Sequence, residues 1–279
     1  MATSDLTRIR SNIQGLNILQ TLRDVNNAVA THQLRLGTGR RINSAGDDPA
    51  GMSISTKLDN RNRVLQAVYD NIGQAKNMLA VAEGGLLSIN DILVLLSEKI
   101  IASSTDSLDA DGKKAITTQL MQMVQEMQDI AEQTAFGGSA LLNTEGTLNF
   151  QTGEREQTSF DTHKYDAISL GLSKLTALTA SDTITSSNYT EYLDEIEGAI
   201  TAVSDGLTNI GSLVNRLTMK ESSISLTQSN TEAAYSRIRN ADMAKEQLEL
   251  TKMQILQQTA TAMLAQANTN SQSILTLFQ

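Results

Sequence analysis

Residues 54–100 read ISTKLDNRNRVLQAVYDNIGQAKNMLAVAEGGLLSINDILVLLSEKI. Alternating steps of four and three from Ile54 pass through Leu58, Arg61, Leu65, Val68, Ile72, Ala75, Leu79, Ala82, Leu86, Ile89, Leu93 and Leu96 to Ile100, and only Arg61 is polar. A 3.5-residue repeat keeps one seam of a helix turned toward a partner, and at about 1.5 Å per residue this one spans ~70 Å. The stretch therefore predicts one long helix of a rod.

Two more stripes supply partners. One runs Leu193, Ile196, Ile200, Val203, Leu207, Ile210, Val214, Leu217 and, past Glu221, Ile224; the other is Ile116, Leu120, Met123, Met127 and Ile130. With a turn at Ser103 to Gly112, three such helices close a bundle around an aliphatic core. Both ends of the chain repeat the pattern with thinner seams: Ile18, Leu22, Val25, Val29, His32, Leu36, and Met253, Leu256, Ala260, Met263, Ala267, Asn270, Ile274, Leu277. A helix of that quality is marginal alone, so the ends are expected to pair with each other and then to need other copies.

The only β-like pattern is a hairpin, 147–151 with 157–161, turning around 152–156 with Gly153. The predicted fold is mainly α: a long antiparallel coiled-coil rod with a small β-hairpin and paired terminal helices. The expected segments are an N-terminal helix (1–37), a linker (38–52), rod helices (53–135), a hairpin region (136–172), a Ser/Thr-rich surface loop or remnant of an inserted domain (173–192), a returning rod helix (193–236) and a C-terminal linker and helix (237–279).

Composition agrees with this reading. Hydrophobic residues make up 40% of the 279, with no Trp, four Phe and five Tyr, so the apolar surface suits helical stripes rather than an aromatic-centred core. A single proline, Pro49, permits long uninterrupted helices. The net charge of −9 argues against nucleic acid, which is bound by a dense field of Lys and Arg. Asp5, Arg8 and Arg10 stand where a secretory signal has its apolar stretch, and no run of about 18 apolar residues predicts membrane insertion.

Convergent chemistry is missing from the pattern. The absence of Cys removes thiol catalysis and zinc thiolates, and the two histidines, His32 and His163, lie in different segments without metal-ligand spacing. His32 reads as a packed or interfacial residue. Asp47-Asp48-Pro49 reads as a helix start, because carboxylates accept free N–H groups there and proline fits the first turn. Gly84-Gly85 lacks the strand and Lys-Ser/Thr of a phosphate loop and is expected to mark a close helix approach instead. No enzyme, metal or cofactor is expected.

Two segments at opposite ends resemble one family. The stretch 37–51, GTGRRINSAGDDPAG, is similar to the bacterial flagellin signature, and 237–244 with 250–252, 254–258 and 262–268 is similar to the flagellin C-terminus; QTAFGG at 133–138 also resembles that family. The resemblance implies an inner tube formed by both termini, a spoke at Arg40, Arg41, Ile42, Asn43, Asp47, Asp48 and Pro49, a helical rod, and variable outer domains that are almost lacking here. It further implies an extracellular filament subunit, exported unfolded by the flagellar type III apparatus with an export chaperone. The polymer would meet hook-associated junction and cap proteins. The junction protein itself is the main rival reading, followed by a type III translocator or free scaffold. Flagellins seen by the vertebrate Toll-like receptor present Gln-Arg shortly before Glu. Here Val94 and Leu95 precede Glu98, which implies weak recognition.

Overall fold

The computed structural model describes residues 12–105, 109–179, 182, 184, 185 and 188–276. In chain order they form α1 (Ile13–Thr38), α2 (Pro49–Ser103), α3 (Ala110–Gln133), β1 (Ala135–Phe136), β2 (Ser139–Ala140), β3 (Gly146–Gln151), β4 (Gln157–Thr162), α4 (Ser173–Thr176), α5 (Tyr189–Arg239) and α6 (Met243–Thr276). They divide into a terminal unit, 1–62 with 230–279, and a central unit, 63–229. The fold is mainly helical, as the stripes predict.

In the central unit, every predicted seam position of α2 from Leu65 to Ile100 is buried. The seam packs against an antiparallel α5: Lys76 Nζ donates to Glu221 Oε2 at 2.8 Å, and Gln228 Nε2 donates to Gln66 Oε1 at 2.8 Å. Glu221, the polar interruption in the α5 stripe, thus has a cation opposite it, whose hydrogen bond holds its carboxyl below the ordinary value. Leu120, Val124 and Met127 of α3 complete the aliphatic core.

The seams differ from the expected ones in instructive ways. Ile54 and Arg61 face solvent, and the inward positions at the start of α2 are Gly51, Ser55, Leu58 and Asn62. Two steps of three, 62 to 65 to 68, bring this series into the predicted frame, a local stammer in the heptad. Inward positions before it serve the terminal unit, where Asn62 Nδ2 donates to Glu232 Oε2 at 2.7 Å, and those after it serve the central core. On α5, Ala199 and Leu213 are buried while Ile200, Leu207 and Val214 are half-buried. The apolar stripe there is wider than one seam, because α5 meets both α2 and the chain after β4. A Cβ on Gly206 would lie 2.2 Å from Tyr165 Oη and 3.2 Å from Leu86 Cδ1. On α3, likewise, Thr117, Val124 and Ala131 are buried beside the half-buried Ile116, Met123 and Ile130.

The predicted hairpin forms with Leu148 opposite Phe160, and alternation turns Thr158, Phe160 and Thr162 inward. A second, two-residue hairpin, β1 with β2, is an addition to the sequence reading. Gly137 and Gly138 at its turn have φ of +58° and +86°, the left-handed pair that a type I′ turn needs. The expected helix approach at Gly84-Gly85 is instead an approach of this region to Gly85 alone: a Cβ on Gly85 would sit 2.7 Å from both Leu142 Cδ1 and Thr134 Oγ1, whereas Gly84 faces open space.

The segment 173–192 departs from a plain surface loop. Leu175, Leu178 and Ile184 are buried in the core, and α5 begins within it at Tyr189. Single apolar residues spaced among Ser and Thr anchor this segment, Leu175 from the one-turn helix α4 and Leu178 and Ile184 from the irregular chain after it. By length and composition α2 could cross a membrane, contrary to the sequence expectation. Core helices of water-soluble proteins meet the same criterion, and the seam of α2 is occupied by α3 and α5.

Candidate interaction surface

The terminal unit pairs α1 with α6 in antiparallel fashion. Asn12 Oδ1 caps α1 by accepting from Gly15 N at 2.8 Å, and its Nδ2 reaches the carbonyl of Ala267 at 3.4 Å. Further along, Gln257 Nε2 donates to Asn26 Oδ1 at 2.7 Å. His32 Nδ1 lies 2.5 Å from Glu246 Oε2, and Arg35 Nη1 lies 3.6 Å from Glu246 Oε1. His32 is therefore an interhelical contact, half-buried among these partners.

Of the expected residues on α1, Val25 is buried and Ile18, Leu22, Val29 and Leu36 are half-buried on this seam. The α6 series is partly corrected. Ala260 and Ala267 are buried and Met253 is half-buried, but Leu256 is 42% and Met263 53% exposed. The inward series is instead Glu246, Leu250, Met253, Gln257, Ala260, Leu264 and Ala267, again in steps of four and three. Glu246 and Gln257 disguised it in the sequence, since their value is to satisfy polar partners on α1. The side chain of Ile274, and Leu277 altogether, lie outside the described residues.

Between the two helices the linker is fixed by backbone bonds. Arg41 N donates to the Arg239 carbonyl at 2.7 Å and Ala241 N to that of Gly39 at 2.9 Å, bridging Arg40 to Asn240. Arg41 Nη2 adds a bond to the Ile238 carbonyl at 2.8 Å, and Ile42 is buried. Asp47 Oδ2 accepts from Ser44 N at 2.8 Å and Asn43 N at 3.0 Å, which holds its carboxyl below the ordinary carboxylate range. A lowered folded value adds stability above the unfolded value and loses it only as pH falls through the folded one, so this turn is intact at neutral pH. Asp48 Oδ1 accepts from Gly51 N at 2.9 Å and caps α2, with Pro49 as its first residue.

The far side of α6 is also apolar. At 100° per residue, Leu248 and Ile255 point away from the α1 seam, 65% and 58% exposed, and Leu256 with Met263 covers the flank. A helix that is apolar around so much of its circumference gains from burial on more than one side. The sequence reading missed Leu248 and Ile255, whose seven-residue spacing was the available signal. In the central unit, Val94, Leu95 and Glu98 lie on the exposed side of α2, off the seam. Among the described residues no group of three or more His, Asp or Glu could hold a metal.

Two family descriptions match the chain: the bacterial flagellin N-terminal helical region over residues 9–147 and the bacterial flagellin C-terminal helical region over residues 193–278. The chain is 35% identical to a flagellin of Halalkalibacterium halodurans, over 88% of this chain and 90% of that protein. It is 31% identical to a flagellin of Bacillus subtilis, over 98% of this chain and 100% of that protein. Among solved structures it is similar to a putative flagellar hook-associated protein from Vibrio parahaemolyticus, with a TM-score of 0.58 at 14% identity, over 70% of this chain and 100% of that one. That last likeness is one of fold.

Proposed function

Because the chain belongs to the bacterial flagellin family, and is thus a non-enzymatic structural subunit of the extracellular flagellar filament, we propose that it polymerises by burying the outer face of α6 against other copies. The observation that carries this is the second apolar face of α6, at Leu248, Ile255, Leu256 and Met263, left over once α1 is seated. The α1–α6 seam itself is thin, with Gly15, Ala260 and Ala267 at inward positions. Each large side chain fully buried by a neighbour adds roughly 1.5–3 kcal/mol, so neighbours contribute what the pair lacks. Leu248→Asp combined with Ile255→Asp is the test. The variant should keep the helical circular dichroism of the parent and fail to extend filament seeds; seeded growth at the parent rate would overturn the assignment.

The same reading supplies finer partners. Export through the flagellar type III apparatus with a chaperone accords with a chain whose long helices form from local repeats, and the junction and cap proteins would bound the polymer at its two ends. The exposed position of Val94, Leu95 and Glu98 on α2 supports weak recognition by the Toll-like flagellin receptor. Arg offers a planar, multi-donor anchor that Leu lacks. Unaltered monomer is expected to activate a receptor reporter cell poorly, and Leu95→Arg with Val94→Gln to raise the signal. Strong activation by the unaltered monomer would reject this.

A further inference from the structure

The central unit carries ten Lys/Arg against 22 Asp/Glu, yet one concave place in it bears no charge. A cleft of about 330 Å³ opens between α2 and the strands, and all of its lining residues are neutral. Asn71 and Gln74 stand three residues apart on one face of α2. Across from them are Phe136 of β1 and Asn149, Phe150 and Gln151 of β3. Two of the chain's four phenylalanines and four amides thus meet in one small space. Phe136 is 37% exposed there, although an aromatic ring gains by being covered. The amides are largely unspent. Gln151 Nε2 donates to the Gly153 carbonyl at 2.7 Å, but the side chains of Asn71, Gln74 and Asn149 have no hydrogen-bond partner among the described residues.

This lining selects its occupant by chemistry. A metal cation finds no carboxylate in the cleft, and an anion meets the acidic surplus of the unit around it. A wholly apolar ligand would strip water from the amides without replacing their hydrogen bonds. A pyranose ring meets both kinds of lining at once. Its C–H face suits the electron-rich face of an aromatic ring, and its neighbouring hydroxyls both donate and accept, as a side-chain amide does. The volume lies at the lower end of the range for small-molecule sites, which suits a short oligosaccharide.

We propose that this cleft binds an uncharged saccharide, with Phe136 and Phe150 against the C–H face of the ring and Asn71, Gln74 and Asn149 on its hydroxyls. The site binds and does no chemistry on its ligand. It is a further activity of the central unit and does not depend on how the chain polymerises. Plain hexose chains and N-acetylated amino-sugar chains share the chemistry it recognises, the acetamido group being one more partner for the amides.

Saturation-transfer NMR on full-length free subunits tests the site, with maltotriose, triacetylchitotriose and the anionic sialyllactose as millimolar probes. At least one of the two neutral trisaccharides should bind. Maltotriose, alone or with the other, assigns a plain hexose chain; triacetylchitotriose alone assigns an amino-sugar chain. Sialyllactose should bind about tenfold or more weakly, because its carboxylate meets the acidic surplus. Gln74→Leu removes one amide from an exposed position of α2, and Phe136→Ala removes one ring face. Each should weaken binding of the neutral probe about tenfold, with circular dichroism unchanged. If Phe136→Ala alters the dichroism, Gln74→Leu decides alone. Silence toward both neutral probes overturns the proposal and leaves the cleft to a segment of another protein chain. Binding that Gln74→Leu leaves at the parent strength overturns it as well, and so does equal binding of sialyllactose.

Discussion

A chain ending at Lys252 should remain soluble and keep the cooperative thermal transition of the central unit, yet show no seeded growth at all. The deletion removes Met253, Gln257, Ala260, Leu264 and Ala267 from the α1 seam, together with Ile255, Leu256 and Met263 from the outer face. What remains of α6 is about ten residues, too short to hold a helix in water without tertiary partners. The seam of α1 then faces solvent, and the helical signal of both terminal helices should be lost. The central unit has its own core, which none of the deleted residues enters. Circular dichroism on heating and electron microscopy of seeded samples decide the matter. Filaments of ordinary length from the truncated chain would show that polymerisation does not depend on α6.

Ile89→Ala should have the largest effect on stability. Ile89 is fully buried at the middle of the α2 seam, in the same cluster as Leu86, Leu93 and Leu213. Its replacement removes apolar contact and leaves a cavity that close-packed neighbours on three helices fill only in part. The expected cost is about 2–5 kcal/mol. Val94→Ala, five residues along on the exposed side of the same helix, should stay within about 0.5 kcal/mol. Denaturant midpoints of the monomer measure both. A small effect at Ile89 would mean that the core relaxes around the gap, and a large one at Val94 would place that side chain in a contact within the monomer.

The sequence by itself determined the long helices and the antiparallel bundle. A seam repeated every 3.5 residues from Leu65 to Ile100 has one physical outcome, because burying it requires a partner stripe of the same period, and the chain supplies that stripe from Ile196 to Ile224. The hairpin was equally legible, since alternation around Gly153 fixes both register and face. Asp48 and Pro49 announced the start of α2 because capping is a local matter.

Only the tertiary structure decided where one seam serves two partners. The stammer at 62–65–68, the buried Ala199 and Leu213 of α5, and the inward Glu246 and Gln257 of α6 all depend on what stands opposite, which no periodicity encodes. A polar residue on a seam reads as an interruption in the sequence, yet Glu246 opposite His32 and Arg35, like Glu221 opposite Lys76, is a satisfied contact. The same holds for Leu175 and Ile184, single apolar residues that fold inward without a local pattern. The outer face of α6 is the converse case. Leu248 and Ile255 look like any apolar residues in a helix until α1 is seen to occupy the other side, and burial is a property of the pair rather than of the residue.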